Sequence, residues 1–229
     1  QSLSTTEPGS MESVTSTETS EIAYTETQEE TTMPEVIEPE SSMPEPTASE
    51  PEEVPPPSVT LVMVGDILLH TPVENSALQE DGSYNFDAVF ANVKEEIESA
   101  DLALVNQEVI LGGVELGISG YPAFNTPHEA GDALVNAGFD IILQGTNHAL
   151  DKGKKGLVSC LDFWKENYPG ITVLGINESP EEQDSIYIYE QEGIRIAFLN
   201  YTYGTNGIPL PSDMPYAVDL LEKEKVIAD

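Results

Sequence analysis

The chain has 229 residues and is strongly acidic, with a formal net charge of −34. A surface of this charge repels phosphate backbones and anionic lipid, which excludes nucleic-acid binding and polybasic membrane binding as main functions. Divalent cations are the partners that such a surface attracts. The length fits one domain with an appendage.

Residues 1–57 differ in composition from the rest of the chain. They contain fourteen Glu and nine Pro, but no Lys, Arg, His or Asp. A segment with so few large apolar side chains cannot offset the entropy of ordering by burial, so we predict a disordered, extended stalk. The stalk ends at Pro55-Pro56-Pro57, and a folded domain is predicted over residues 58–229.

An acidic stalk rich in Thr, Ser, Glu and Pro is typical of domains that are held away from a cell surface. We therefore expect an extracellular location, with the stalk tethered to a membrane anchor that precedes Gln1. An acidic tail on a cytosolic protein is the alternative that composition leaves open. The sequence contains no run of about 18 apolar residues that would predict a membrane span.

The apolar pattern predicts strands that alternate with helices. The β-branched, apolar run over residues 58–64 predicts a buried first strand. A helix is predicted over residues 87–97, where apolar residues recur three and four apart. Further strands are predicted over residues 102–105, 139–143 and 171–174, with helices over 128–137 and 154–166. This order indicates an α/β fold with a mostly parallel sheet. Its inner strands are apolar on both sides, so helices should cover both faces.

Three local features complete the prediction of the fold. The last two strands, over residues 185–190 and 194–199, should pair as an antiparallel hairpin. Gly138 is suited to a left-handed C-cap of the preceding helix. Cys160 is the single cysteine, and its helical setting indicates a buried apolar residue rather than a reactive thiol.

Three successive predicted strands each end in a polar cluster. Asp66 follows the first strand, Glu108 follows the second, and Asn147 and His148 follow the third. Loops that leave the carboxyl ends of parallel strands line one crevice, so these side chains should converge. Two carboxylates and an amide oxygen suit a hard or borderline divalent cation, with His148 as a ligand or proton donor. The sequence therefore predicts a metal-dependent site.

These motifs resemble those of a known family. The chain is similar to the CapA-type proteins of poly-γ-glutamate capsule synthesis in Gly65-Asp66, Asn106-Gln107-Glu108, Asn147-His-Ala-Leu-Asp-Lys-Gly153 and Tyr201-Thr-Tyr-Gly-Thr-Asn206. This family is a branch of the calcineurin-like metallophosphoesterase superfamily, and the resemblance covers residues 59–229. It implies a metallophosphoesterase-like β-sheet sandwich flanked by helices, of which this chain would hold the N-terminal part.

The resemblance also implies a role for each residue of the cluster. Asp66 is similar to a ligand of the first metal ion, Glu108 to the carboxylate that bridges two ions, and Asn147 to the amide ligand of the second. His148 resembles the imidazole that steadies the attacked phosphoryl group or protonates the leaving oxygen. The implied cofactors are two divalent ions, with Mn, Zn and Fe not distinguished, that activate a water and stabilise charge on a phosphoryl-type oxygen.

The chain departs from the superfamily in its histidines. The superfamily supplies further metal-binding histidines from C-terminal motifs, whereas this sequence has only His70, His128 and His148. We therefore expect a C-terminally truncated part of a longer protein. Such a chain would assemble half of a two-metal site and be inactive alone.

Six further residues are candidates for substrate binding, because they lie on predicted loops near the polar clusters. They are His70, Tyr121, Asn125, Lys152, Tyr201 and Asn206. Lys152 belongs with two neighbouring lysines to a basic cluster that would steer an anionic substrate. Ordinary roles in turns, caps and a solvated helix start are the alternatives for these residues.

The leading hypothesis is a cell-surface CapA-like protein in the synthesis, export or anchoring of an anionic capsule polymer, acting as a metal-dependent hydrolase. Its expected partners are an anionic polymer or phosphoester substrate and a membrane-bound capsule synthesis complex, but not nucleic acid. Two alternatives stay open. One is a non-catalytic polymer-binding scaffold on the same fold, and the other is a metal-dependent phosphodiesterase unrelated to capsule.

Overall fold

A computed structural model describes residues 55–229, which form an α/β domain, so the predicted stalk lies outside the described residues except for its last three prolines. The domain is built on a parallel sheet with the strand order β1-β2-β3-β4. Its strands are β1 Leu61–Val64, β2 Leu102–Asn106, β3 Ile141–Leu143 and β4 Thr172–Leu174. The predicted α/β class with a parallel sheet is confirmed.

Helices connect and flank these strands. They are α1 Thr71–Ala77, α2 Asp87–Phe90, α3 Lys94–Glu98, α4 Glu129–Ala137, α5 Gly153–Asn167, α6 Pro180–Gln183 and α7 Lys223–Ala228. A 3-10 turn spans Val114–Leu116. None of these helices in residues 55–229 has the length and apolar composition needed to cross a membrane.

The structure corrects one helix prediction and confirms a predicted helix end. The helix predicted over residues 87–97 is two short helices, α2 and α3. Residues 91–93 form a turn between them, in which the N–H of Val93 donates to the carbonyl of Phe90 at 2.9 Å. Gly138 ends α4 as predicted, with φ 99° and a hydrogen bond from its N–H to the carbonyl of Val135.

One face of the sheet packs against the helices. Ala103, Val105 and Ile142 on this face join the same buried core as Leu134 of α4 and Leu157 of α5. Burying an aliphatic side chain of the size of Val, Leu or Ile stabilises the fold by roughly 1.5–3 kcal/mol. This helix-backed face therefore anchors the strands whose ends carry the polar clusters.

The other face of the sheet is covered by a hairpin rather than by helices. Strands β5 Tyr187–Gln191 and β6 Ile194–Phe198 pair antiparallel, which confirms the predicted hairpin. Leu104 and Ile141 of the sheet pack against aromatic side chains of this hairpin. The expectation that helices cover both faces is therefore wrong, because the inward-facing residues of β5 and β6 bury the second face.

Strand β1 is an edge strand, not the buried strand that its apolar sequence predicts. It pairs with β2 alone among the described strands, and the side chains of Leu61 and Met63 are 41% and 62% exposed. Both lie on the face that the hairpin covers over the neighbouring strands. The composition of β1 is that of a buried strand, but its position at the edge leaves half of it open to solvent.

Cys160 is fully buried in α5, as its helical setting predicts. Its thiol lies 3.1 Å from Oε1 of Gln144, and the same oxygen accepts a 2.8 Å hydrogen bond from the indole of Trp164. Burial raises the pKa of the Cys160 thiol to about 12. The cysteine is therefore a packed core residue and not a nucleophile at neutral pH.

Glu74 is a buried carboxyl group in α1. It is 2% exposed, and neither side-chain oxygen has hydrogen-bond geometry with a described residue. Burial raises the pKa of Glu74 to about 7, although the nearby Thr126 hydroxyl offsets part of this effect. The ionised carboxylate is thus a destabilising feature of the fold at neutral pH and above.

Glu74→Gln should stabilise the domain at high pH. Below pH 4.5 the carboxyl is protonated in the folded and unfolded states, so the variant and the wild type should be alike. As pH rises from 4.5 to about 7 the unfolded state ionises first, so the free energy of unfolding of the wild type falls. At pH 8 the variant should be more stable by up to about 3 kcal/mol in urea unfolding.

The exposed Glu80→Gln is the matched control, because it removes the same charge from the surface beside α1. Its stability should follow that of the wild type across the same pH range. An equal gain in both variants would assign the effect to net charge rather than to the burial of Glu74.

Candidate functional site

The loops after β1, β2 and β3 leave the sheet at one edge, because the parallel register keeps the strand ends level. Val64 pairs with Val105, and Asn106 pairs with Leu143. An open hollow of about 330 Å³ lies at this edge. Its polar lining comprises Asp66, Asn106, Glu108, Thr146, Asn147, Asn200, Tyr201, Thr202 and Tyr203. The structure thus brings together the three residues that sequence predicts as metal ligands.

Hydrogen bonds fasten these loops to one another. The N–H of Ile67 donates to the carbonyl of Asn106 at 2.8 Å, and the N–H of Glu108 donates to the carbonyl of Ile67 at 3.2 Å. The Thr146 hydroxyl donates to the carbonyl of Glu108 at 2.7 Å. Asp66 and Glu108 are therefore carried on loops with a fixed relative position.

Asn200 fastens the loop after β3 to the end of the hairpin. Its Oδ1 accepts a 2.6 Å hydrogen bond from the N–H of Gly145. Gly175 lies against this contact with φ 91°, and a Cβ there would come within 2.3 Å of both the Asn200 Oδ1 and the Gly145 nitrogen. Only glycine fits at position 175, because a side chain would push apart the two loops that meet there.

The two carboxylates of the hollow repel each other. Burial is the main cause that raises the pKa of Glu108, and the charge of Asp66 raises it further, whereas His148 lowers it. Asp66 is exposed, and its carboxylate accepts a hydrogen bond from the Asn106 amide. None of the described residues that line the hollow is basic. The hollow is therefore a place where a cation would relieve electrostatic repulsion.

His148 is buried beside the hollow and is held in one orientation. Its Nδ1 lies 2.7 Å from Oδ2 of Asp151, which also accepts a 2.7 Å hydrogen bond from the N–H of Phe124. A carboxylate only accepts hydrogen bonds, so Nδ1 carries the hydrogen of this contact. Nε2 of His148 then lies on the side of Glu108, 3.8 Å from Oε1.

Two of the predicted substrate residues belong to this cluster. Tyr201 lines the hollow. Asn206 lies beside it, and its Oδ1 accepts a 3.2 Å hydrogen bond from Nδ2 of Asn147. Its own Nδ2 lies 3.3 Å from Nδ1 of His148. The loop after β6 therefore contacts both predicted residues of the loop after β3.

Two other substrate candidates, His70 and Tyr121, lie outside the lining of the hollow. Both are exposed, and both rings meet the edge or face of Phe124, with centroid distances of 4.9 Å and 6.5 Å. The same Phe124 ring contacts the imidazole of His148 at 4.7 Å. His70 and Tyr121 thus border the cluster through a shared aromatic neighbour.

The remaining candidates, Asn125 and Lys152, have positions that serve the fold. Asn125 is fully buried, and its amide donates to the carbonyls of Gly113 at 2.9 Å and Gly117 at 3.1 Å. It therefore fixes the loop that contains Gly113 and Gly117. Lys152 occupies the N-cap position of α5 and does not line the hollow.

Asp151 and Asn200 have no role predicted from the sequence, although the sequence around each residue contains a pattern that could have identified it. Asp151 follows His148 by three residues, a spacing at which two side chains can meet within one helical turn. Asn200 is the first polar residue after the β6 strand, the same pattern that identified the other clusters. Because β6 belongs to the antiparallel hairpin, the argument from parallel strand ends could not place it at this edge.

The donor chemistry of the hollow fits one oxygen-ligated divalent cation. Asp66 and Glu108 offer carboxylates and Asn147 offers an amide oxygen, which are ligands of hard cations. Residues 55–229 contain no group of three or more His, Cys, Asp and Glu side chains arranged to hold a metal ion. A second ion would need ligands that the described residues do not bring to this hollow.

Asp151→Asn should release the His148 ring from its fixed tautomer. The amide lacks the charge that favours the Nδ1 hydrogen, so two-dimensional ¹H–¹⁵N spectra of the imidazole should show a larger Nε2–H population. The free energy of unfolding should fall by about 1.5–3 kcal/mol, because a charge-assisted hydrogen bond to the Phe124 N–H is weakened. Asp162→Asn on the exposed side of α5 is the control, and equal effects in both variants would contradict the assignment.

Comparison with known protein families gives a match over most of the domain. A family model described as bacterial capsule synthesis protein PGA_cap matches residues 60–226. No curated protein sequence matches the chain. The family match confirms the resemblance to CapA-type capsule proteins that the sequence motifs suggest. Because it spans more than half of the chain and includes the whole lining of the hollow, the chain belongs to the PGA_cap family of bacterial capsule synthesis proteins.

Proposed function

We propose that this member of the capsule synthesis family is a metal-dependent hydrolase that acts on a phosphoester or amide-like bond of an anionic capsule polymer. The family ties the chain to capsule synthesis, whereas the reaction is our proposal. The observation that carries it is the convergence of Asp66, Glu108 and Asn147 on one hollow that has no basic residue in its described lining.

The charge of the hollow supports a cation as part of the site. An anionic polymer would be repelled by Asp66 and Glu108 alone, so a bound cation is needed to reverse the local charge. When bound, such an ion would polarise the phosphoryl or carbonyl oxygen beside the attacked atom and would lower the pKa of a bound water. Asp66 and Glu108 would hold it through carboxylate oxygens, and Asn147 through its amide oxygen. Burial is the main cause of the raised pKa of Glu108, and the cation would remove the smaller contribution that comes from the charge of Asp66.

His148 is suited to move a proton at this site. Asp151 fixes the hydrogen on Nδ1 and would stabilise the positive charge of the doubly protonated ring. The proton on Nε2 of this ring then points towards the carboxylate of Glu108 and the hollow, where it would be donated to a leaving oxygen. Burial of the ring and the edge contact with Phe124 limit the orientations that His148 can adopt.

We extend the proposal to location and partners. The acidic, proline-rich composition of residues 1–57 supports an extracellular domain tethered at a cell surface, within a membrane-bound capsule synthesis complex. The net charge supports partners other than nucleic acid.

A non-catalytic polymer-binding scaffold is the second candidate, and one observation favours it. The described residues contain no group of three or more typical metal-binding side chains. The hollow also offers Asn200, Thr202 and Tyr203, which suit hydrogen bonds and aromatic contacts with a polymer. In this role the chain would hold the polymer without cleaving it.

Metal binding is the first test. Titration calorimetry with Mn²⁺ or Zn²⁺ should show one ion per chain, and the double variant Asp66→Asn, Glu108→Gln should weaken binding at least about tenfold. Affinity should fall as the pH is lowered towards 4.5, the ordinary value for a Glu side chain, because protons compete for a Glu108 carboxylate whose pKa is raised above it. The control, Glu115→Gln with Asp162→Asn, removes the same charge from exposed positions. Equal binding by the two double variants would refute the cation site.

Turnover separates the hydrolase from the scaffold. Phosphodiester and γ-glutamyl substrates would be assayed with Mn²⁺ or Zn²⁺, together with polymer binding. We expect His148→Gln to lower turnover by about 10²–10⁴-fold, the usual contribution of a general acid, while polymer binding persists. Polymer binding without turnover by the wild type would favour the scaffold.

A further inference from the structure

The loop after β6 presents Asn206 in an unusual backbone conformation. Asn206 has φ 51° and the next residue, Gly207, has φ 78°, so both lie in the left-handed region. The buried Thr205 steadies this turn, because its hydroxyl donates to the carbonyl of Ile208 at 2.5 Å. Asn tolerates the left-handed region better than most residues. The loop thus projects a short carboxamide from a defined position.

One hydrogen bond joins the side-chain amides of Asn206 and Asn147, and Asn206 is its acceptor. Oδ1 of Asn206 accepts a hydrogen bond from Nδ2 of Asn147 at 3.2 Å. This contact engages the nitrogen of Asn147 and leaves its Oδ1 without a donor among the described residues. Only the amide oxygen can ligate a cation, because the NH₂ group presents hydrogens. The hydrogen bond therefore selects the rotamer of Asn147 that is competent for a cation.

The contact of Asn206 with His148 has a different character. Nδ2 of Asn206 lies 3.3 Å from Nδ1 of His148, but that nitrogen already donates its hydrogen to Asp151 at 2.7 Å. Two hydrogen-bearing nitrogens cannot form a hydrogen bond with each other. Asn206 thus forms a hydrogen bond with Asn147 and only a van der Waals contact with His148.

We propose that Asn206 is a positioning residue of the cation site, which turns the amide oxygen of Asn147 towards the ion. The proposal rests on the proposed cation site and deepens it. It revises the expectation of Asn206 as a substrate contact, because the carboxamide oxygen is engaged within the protein. Asn206 acts through Asn147 and itself contacts neither the ion nor the substrate.

A double-mutant cycle tests this proposal. Asn206→Gly removes the carboxamide and leaves the left-handed backbone relaxed, and it should weaken Mn²⁺ binding by about tenfold in calorimetry, as loss of an outer-shell partner does. Asn206→Asp keeps an oxygen that accepts from Asn147, so its affinity should stay at or above that of the wild type. In an Asn147→Ala background, Asn206→Gly should cause no further loss.

Glu192→Gly is the matched control, because Glu192 has φ 52° in the turn between β5 and β6. Its Mn²⁺ affinity should equal that of the wild type. Unchanged affinity in Asn206→Gly, or an equal loss in the Asn147→Ala background, would overturn the positioning role. A wild type that binds no cation would overturn the cation site as well, so the wild-type titration tells the two failures apart.

Discussion

The parallel pairing of β1, β2 and β3 is the constraint on which the site depends. Asp66, Glu108 and Asn147 are far apart in the chain, and they meet because their strands end level at one edge. A shift of one residue in either pairing would turn side chains to the opposite face. The loop-to-loop hydrogen bonds through Ile67 and Thr146 extend this register beyond the strands.

The hollow gathers negative charge that the fold alone does not neutralise. Burial and Asp66 raise the pKa of Glu108, and the described lining offers no basic side chain. Around these carboxylates, polar neighbours fix the remaining groups in place: Asp151 holds His148, and Asn206 holds Asn147. The unneutralised carboxylates and the fixed polar side chains are the features on which the proposed cation site rests.

The local sequence pattern was sufficient to predict most strands, because they follow from the periodicity of apolar residues. It also predicted that the polar clusters converge, because each cluster follows the end of a parallel strand. It could not show that a hairpin covers one sheet face, or that β1 is an open edge, because both depend on packing between distant segments. The helix starting at Thr71 was also missed. The Asn206 contact was out of reach for a similar reason, since it joins residues 59 positions apart.

The burial of Cys160 has a consequence for following the motions of the domain. As the single cysteine, with no solvent exposure and a thiol pKa of about 12, it reacts with a thiol reagent only when α5 separates from the sheet. The rate of thiol labelling in native buffer would therefore measure how often this part of the domain opens, without a probe introduced by mutation. Because Gln144 contacts Cys160 and lies just after β3, those events would report on the loop after β3, which carries Asn147 and His148.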